Sequence, residues 1–284
     1  MKIGISDNRK WGGEYYSKLK SFGFDYYDFK MADTTVEPYA YNYSDFCKYC
    51  EREKEFADKA GVTIWQVHGP WRYPPLDRTP EDRTERLNQM KRSIHGAAIL
   101  GAKYWVVHPL MPFGTDDILT DNAERTHEIN LEFMSKLLPV AKREGVTICL
   151  ENMPMLNFSI ASPSAIVEFT KEINDTSFAM CLDTGHTNVC KDWHTPAEAV
   201  RQYKDLIKVL HVHDNRGRQD EHLPPFHGTI DWKAFSAALH ETEFEGVLSL
   251  ECAPCNSLPR DILEDMYSIY NRLARAVCLM HAQP

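Results

Sequence analysis

Six polar positions each close an apolar run: His68, His108, Glu151, Asp183, His211 or His213, and Glu251. Carboxylates and imidazoles are the side chains that move protons near neutral pH and bind hard or borderline metal ions. Taken singly, a histidine after an apolar run is more often a hydrogen-bonded loop residue than a ligand. Six coincidences of position argue instead for one shared site. Glu151, Asp183 and Glu251 would then put three carboxylates into one low-dielectric space. Like charges that close oppose one another's ionisation unless a cation sits among them. One divalent ion with a histidine as fourth ligand resolves the repulsion. Mostly oxygen donors with one imidazole suit Mn²⁺, Mg²⁺ or Co²⁺, and Zn²⁺ is compatible though usually richer in nitrogen.

Residues so far apart in sequence meet only if the elements carrying them close on themselves. Short runs rich in β-branched and aromatic residues recur at Lys2–Ser6, Phe24–Phe29, Thr63–His68, Tyr104–His108, Thr147–Glu151, Phe178–Asp183, Lys208–His213 and Val247–Glu251. They are nearly continuous in apolar character, as parallel strands covered on both faces should be. Amphipathic stretches separate them, at roughly Gly12–Ser21, Asp45–Ala60, Glu81–Leu100, Ala123–Glu144, Pro163–Ile173, Pro196–Leu206, Asp231–Glu241 and Pro259–Met280. Thr79-Pro80-Glu81-Asp82 is a helix-start signature, and Lys142-Arg143 before Gly145 is a helix-stop signature. Strand then helix, repeated eight times, predicts a (β/α)8 TIM barrel of the α/β class. A doubly wound sheet is the structural alternative. The 284 residues slightly exceed the usual size of one barrel and contain no obvious linker, so one domain over 1–284 is expected. In such a barrel the C-terminal strand ends surround a single cavity, where all six polar positions fall. The stretch Met31–Tyr43 reads as a lid or a linker.

Composition narrows the partners. The chain is 43% hydrophobic and 26% charged, ordinary for a globular protein. A formal net charge of −9 argues against a broad phosphate-binding surface, so no nucleic-acid partner is expected. No apolar run approaches the roughly 18–20 residues of a membrane span, and the first residues lack an apolar leader core. A cytoplasmic protein follows, with its eight cysteines as reduced thiols. The pairs Cys47/Cys50 and Cys252/Cys255 lack the flanking glycines of a zinc ribbon. Exposed helices on such barrels commonly support homodimers.

The segments His68–Trp71 (HGPW), Val106–Pro109 (VVHP), Leu150–Asn152 (LEN), Leu182–His186 (LDTGH), His211–Asn215 (HVHDN), Asp220–Trp232 (DEHLPPFHGTIDW) and Leu250–Cys252 (LEC) run in order along nearly the whole chain. Together they resemble the xylose-isomerase-like TIM barrels, a superfamily of sugar-phosphate isomerases and epimerases, ketose 3-epimerases, inosose-handling enzymes and metal-dependent AP endonucleases. The resemblance implies a metal held by Glu151, Asp183, His211 and Glu251. His211 is preferred to His213 because the family's ligand stands three residues before an acid, here Asp214. It also implies substrate contacts from His186 and His222, and related isomerases keep histidines such as His68 and His108 for the same purpose. The chain departs from the family pattern where Phe226-His227-Gly228 replaces Gly-Glu-Gly.

A metal in this setting polarises a carbonyl and its neighbouring hydroxyl, acidifying the C–H between them. One carboxylate removes the proton to give an enediolate stabilised by the metal, and a second acid returns it elsewhere. Glu151 and Glu251 are the expected acid/base pair of a sugar or sugar-phosphate isomerase or epimerase. Trp11, Trp71, Phe113 and Phe226 are candidate pocket walls. Arg216, with Arg218 and Arg260, is placed to meet a phosphate, although no glycine-rich cradle accompanies them. The rival is a three-zinc AP endonuclease-like phosphodiesterase, for which His68, His108, Glu151, Asp183, His186, His211, Asp220, His222 and Glu251 match all nine ligand positions. A lyase or dehydratase acting through the same enediolate is a further alternative, and a sugar-binding protein without chemistry would not need both glutamates.

Overall fold

Eight parallel strands close into a barrel in the computed structural model, which describes residues 1–7, 12–33, 38–71, 79–110, 122–191, 193–255 and 257–282. Trp11 and Phe113, expected as pocket walls, lie outside these residues, as does part of the Met31–Tyr43 stretch. The strands are β1 (Lys2–Ile5), β2 (Tyr26–Lys30), β3 (Thr63–His68), β4 (Tyr104–Val107), β5 (Thr147–Glu151), β6 (Phe178–Asp183), β7 (Ile207–Val212) and β8 (Val247–Leu250). Each pairs with its sequence neighbours, and β1 pairs with β8 to complete the ring. The register sets the site. Glu151 lies opposite Cys181, Asp183 opposite His211, and His68 opposite Lys30, so the strand ends meet at one rim.

Alternation along each strand divides the barrel interior from the layer beneath the helices. Val106, Cys149, Ala179, Cys181 and Val209 pack together as a small fully enclosed cluster inside the barrel. Two residues further along β5, β6 and β7, the same inward positions are Glu151, Asp183 and His211. The apolar plug therefore forms the floor of the polar site. Cys149 and Cys181 fill this plug as small hydrophobes, and burial pushes both thiols up in pKa. The larger core lies between the strands and the helices, with Trp105, Phe24, Phe29, Phe46 and Tyr267 among its fully buried side chains.

The helices are α1 (Tyr15–Ser21), α2 (Tyr43–Ala60), α3 (Pro80–Ile99), α4 (Ala123–Glu144), α5 (Pro163–Ile173), α6 (Thr184–Val189), α7 (Pro196–Tyr203), α8 (Trp232–Glu241) and α9 (Arg260–Leu279). Their ends follow the local chemistry. Thr79 and Asp82 form a reciprocal capping box with Pro80 in the first turn of α3. Gly145 closes α4 at φ 68°, a conformation in which a side chain would be strained. The short α6 has no counterpart in the hydrophobic pattern of the sequence. It exists because the Asp183 carboxylate caps it, accepting from the His186 backbone N–H at 2.6 Å. Among the described residues, no helix is long and apolar enough to cross a membrane.

Candidate active site

Glu151, Asp183, His211 and Glu251 each offer a ligand atom within 4.8 Å of the others. His211 Nδ1 stands between two carboxylates, 3.0 Å from Glu151 Oε1 and 3.2 Å from Glu251 Oε2. All four side chains are buried or nearly so. The remaining histidines ring this group. His68 Nε2 and His108 Nε2 lie 3.5 and 3.3 Å from Glu151 Oε2. His213 Nε2 lies 3.1 Å from Asp183 Oδ2, and its ring stacks on His222 at 4.0 Å between centroids. Gly185 is obligatory there: a Cβ at that position would sit 1.9 Å from the His213 ring.

The histidines share a pattern of anchoring. In His68, Nδ1–H donates to the Gly69 carbonyl at 2.9 Å; in His186, to the Asn152 carbonyl at 2.7 Å; in His222, to the Glu251 carbonyl at 2.6 Å. Each then turns Nε2 toward a carboxylate. An imidazole fixed on one nitrogen and aimed with the other is how proteins orient metal ligands. Asp220 completes a second cluster, its carboxylate 3.3 Å from His186 Nε2 and 3.1 Å from His222 Nε2. The loop carrying Asp220 and His222 is held by Asp214, which accepts from Gly228 N–H and from the Trp232 indole, each at 2.9 Å, and bridges to Leu223.

Electrostatics records the same crowding. Burial alone would raise the pKa of Glu151, but the His211 and His108 imidazoles beside it hold it well below the carboxylate range. Burial acts likewise on Glu251, and His211 again reverses it. Burial works against charge on His186, yet Asp183, Asp220 and Glu151 push it up to about 10. His222 is pushed up to about 9 by Asp220 and Glu251 in spite of its burial. Protons on histidines thus neutralise a concentration of carboxylates. A divalent cation meets the same need, and the donor set of three carboxylates and one imidazole fits it.

Above these groups opens a cavity of about 360 Å³ lined by Lys30, Trp71, Arg86, Pro109, Met153, Met155 and the site residues His68, His108, Glu151, His186, Asp220, His222 and Glu251. The size and the mix of apolar wall and convergent polar groups suit a small molecule. Arg216 is the exception among the expected substrate contacts. Its guanidinium pairs with Glu221 in an exposed loop, and its own backbone N–H bonds the same carboxylate at 2.8 Å. Neither it nor Arg218 or Arg260 borders the cavity. Among the described residues, the Lys and Arg side chains that do are Lys30 and Arg86. Sequence reading also passed over Asp28, Gln66 and Asn152. A signal for Asp28 and Lys30 was present: they alternate with Tyr27 and Phe29, as inward residues of a strand must.

Phe226 lines no part of the cavity and is 41% exposed, with its ring 6.1 Å from that of Trp232. It keeps φ 73°, the left-handed conformation for which the family pattern uses glycine. A Cβ in that conformation costs about 1–2 kcal/mol. Phe226→Gly is therefore expected to be about 1 kcal/mol more stable than Phe226→Ala, which loses the same ring but keeps the Cβ. Equilibrium urea unfolding of the two variants checks this; an alanine variant as stable as the glycine one would remove the strain argument.

Comparison with known proteins gives the following. The sequence profile of the family described as "Xylose isomerase-like TIM barrel" matches residues 16–270. The uncharacterized protein MJ1311 of Methanocaldococcus jannaschii is 30% identical over 69% of this chain and 67% of its own. A probable endonuclease 4 of Metamycoplasma arthritidis is 25% identical over 75% of this chain and 76% of its own. D-psicose 3-epimerase of Ruminiclostridium cellulolyticum is 24% identical over 88% and 83%. Among solved structures, the IOLI protein with a bound zinc atom shares the fold over the full length of both chains, at 18% identity and a TM-score of 0.73.

Proposed function

Because this chain belongs to the xylose isomerase-like TIM barrel family, we propose that it is a metal-dependent sugar isomerase or epimerase with Glu151 and Glu251 as its acid/base pair. The observation that carries the reading is the convergence of these two carboxylates on His211 Nδ1, at 3.0 and 3.2 Å, beneath a cavity of about 360 Å³. A divalent ion held by Glu151, Asp183, His211 and Glu251 would polarise a sugar carbonyl and its neighbouring hydroxyl, acidifying the C–H between them.

The chain's own residues do the rest. Glu151 and Glu251 rise from β5 and the end of β8, on different sides of the barrel mouth. One accepts the carbon-bound proton and the other delivers a proton, to the adjacent carbon in isomerisation or to the opposite face in epimerisation. His68, His108, His186 and His222 border the cavity with Nε2 atoms that face Glu151 or Asp220 and would exchange those contacts for substrate hydroxyls, and Trp71, Met153 and Met155 supply an apolar wall. The relative that acts on D-psicose supports a ketose as the first substrate to try. The test is a panel of D-psicose, D-tagatose, D-fructose and matched aldoses in deuterated water with added Mn²⁺. Turnover should carry deuterium into the carbon beside the carbonyl. No conversion and no exchange with any ketose or aldose, on protein loaded with metal, would overturn the assignment.

A second reading has its own observation in support. His186, His213, Asp220 and His222 form a separate ligand group, and His68 forms a further one that shares Glu151 and His211 with the group of Glu151, Asp183, His211 and Glu251. Three such groups in one mouth suit a three-metal phosphodiesterase, and an endonuclease 4 is among the relatives. Metal stoichiometry separates the two. The isomerase reading expects one tightly held ion per chain after gel filtration, measured by elemental analysis. Three zinc ions per chain together with cleavage of an abasic-site duplex would replace it with the nuclease.

A further inference from the structure

His211 differs from His68, His186 and His222 in what faces its far nitrogen. His68, His186 and His222 are each anchored by a backbone carbonyl. His211 Nε2 instead makes an ion-pair contact, 3.1 Å from Oδ2 of Asp28 and outside hydrogen-bond angles, with a carboxylate on β2 that is 1% exposed. The same oxygen accepts from Gln66 Nε2 at 2.8 Å, a fully buried amide on the adjacent strand β3. Asp28 and Gln66 are cross-strand partners in the β2–β3 register, so the barrel itself fixes their spacing. The His211 ring is also held face-on, stacked against His68 at 5.6 Å with 15° between planes.

A buried carboxylate is expensive, and one with no neighbouring Lys or Arg needs a partner that can carry positive charge. No Lys or Arg pairs with Asp28 among the described contacts, and its neighbours across the barrel are Gln66 and His211. We infer that Asp28, steadied by Gln66, is a positioning residue that keeps the proton of His211 on Nε2, so that Nδ1 faces Glu151 and Glu251 as a free donor for the metal. The inference rests on the metal-dependent reading above, and it assigns a role to two residues outside the ligand group. A carboxylate behind a ligating imidazole fixes its orientation and raises its basicity, and loss of such a partner typically weakens metal binding by about 10–100-fold. Backbone carbonyls behind His68, His186 and His222 orient without supplying a full charge, which makes His211 a stronger nitrogen donor than these three.

The test uses Asp28→Ala, Asp28→Asn and His211→Asn in the full chain, with Mn²⁺ and Zn²⁺ affinity measured by calorimetry or chelator competition. Asp28→Ala should lose about 10–100-fold in affinity, and Asp28→Asn, which keeps an acceptor without the charge, should lose less. A purely structural role would not produce this graded rescue at equal melting temperature. In ¹⁵N-histidine-labelled protein, the His211 Nε2–H should exchange slowly with water in the wild type, with or without metal, and quickly in Asp28→Ala. If Asp28→Ala does not fold, Asp28→Asn carries the same test of affinity. Wild-type affinity in both Asp28 variants, with His211→Asn crippled, would overturn the role of Asp28 and leave the metal site standing. Failure of the wild type to bind either metal would instead sink the functional reading; the exchange experiment on metal-free protein would then decide the Asp28–His211 contact alone, and a fast-exchanging Nε2–H would overturn it.

Discussion

Glu251→Gln is expected to lower kcat by about 10²–10⁴-fold, the usual contribution of a positioned acid or base, while leaving the fold intact. The amide occupies the space of the carboxylate, and the Glu251 backbone carbonyl still accepts from His222 Nδ1–H. Glu251 also faces the imidazoles of His211 and His222, so losing its charge should lower the metal-free melting temperature modestly without unfolding the chain. What disappears is a group that can take or give a proton. Glu151→Gln should be equally damaging to net turnover, but the two variants need not be equivalent in deuterium exchange. The variant lacking the residue that returns the proton still possesses the one that removes it, and it should wash solvent deuterium into unreacted substrate. The variant lacking the remover should not. Assays at saturating Mn²⁺, with binding checked separately, keep loss of metal apart from loss of proton transfer. Retained turnover in Glu251→Gln would end its assignment as acid or base.

The strands were legible where burial on both faces leaves a continuous apolar run. β3, β5 and β6 begin and end where the sequence pattern places them. β2 was expected over Phe24–Phe29 and runs over Tyr26–Lys30. The shift arises because Phe24 is buried ahead of the strand and because Lys30 faces the cavity, where a charge does not end a strand. Asp28 lies within both ranges, and its alternation with Tyr27 and Phe29 marks it only as inward-facing; its role needs the cross-barrel partner that sequence does not name. α6 was invisible for a different reason. Thr184–Val189 is too short for a 3.6-residue period to declare itself, and its cap, Asp183, doubles as a site carboxylate. The ligand group itself needed no periodicity, because strand ends of a closed barrel converge whatever their spacing in sequence. Arg216 failed as a substrate contact because position near strand seven says nothing about side-chain direction, and Glu221 five residues away captures it.

Metal binding should stabilise the protein, and by more at high pH than at low pH. An ion present at one hundred times its dissociation constant adds about 2.7 kcal/mol, which for a chain of this size is a rise of about 4–5 °C in Tm. The pH dependence follows from what holds the site together without metal. His186 and His222, pushed up to about 10 and about 9, are protonated in the folded metal-free protein at neutral pH. A raised histidine pKa contributes stability that is complete below the unfolded value near 6.5 and is lost as pH climbs through the folded value. The metal-free protein should therefore weaken between about pH 7 and pH 10. Glu151 and Glu251 behave oppositely, their depressed values giving stability that is lost only as pH falls below the ordinary carboxylate range, outside this window. A bound ion would take over the neutralising role of these protons, and fewer protons would compete with it as pH rises. Melting curves with and without Mn²⁺ at pH 6, 7.5 and 9 should thus separate progressively. A gap that stays constant, or that closes toward pH 9, would mean that metal and histidine protons are not exchanging at this site, and that the carboxylates are neutralised by something other than a cation.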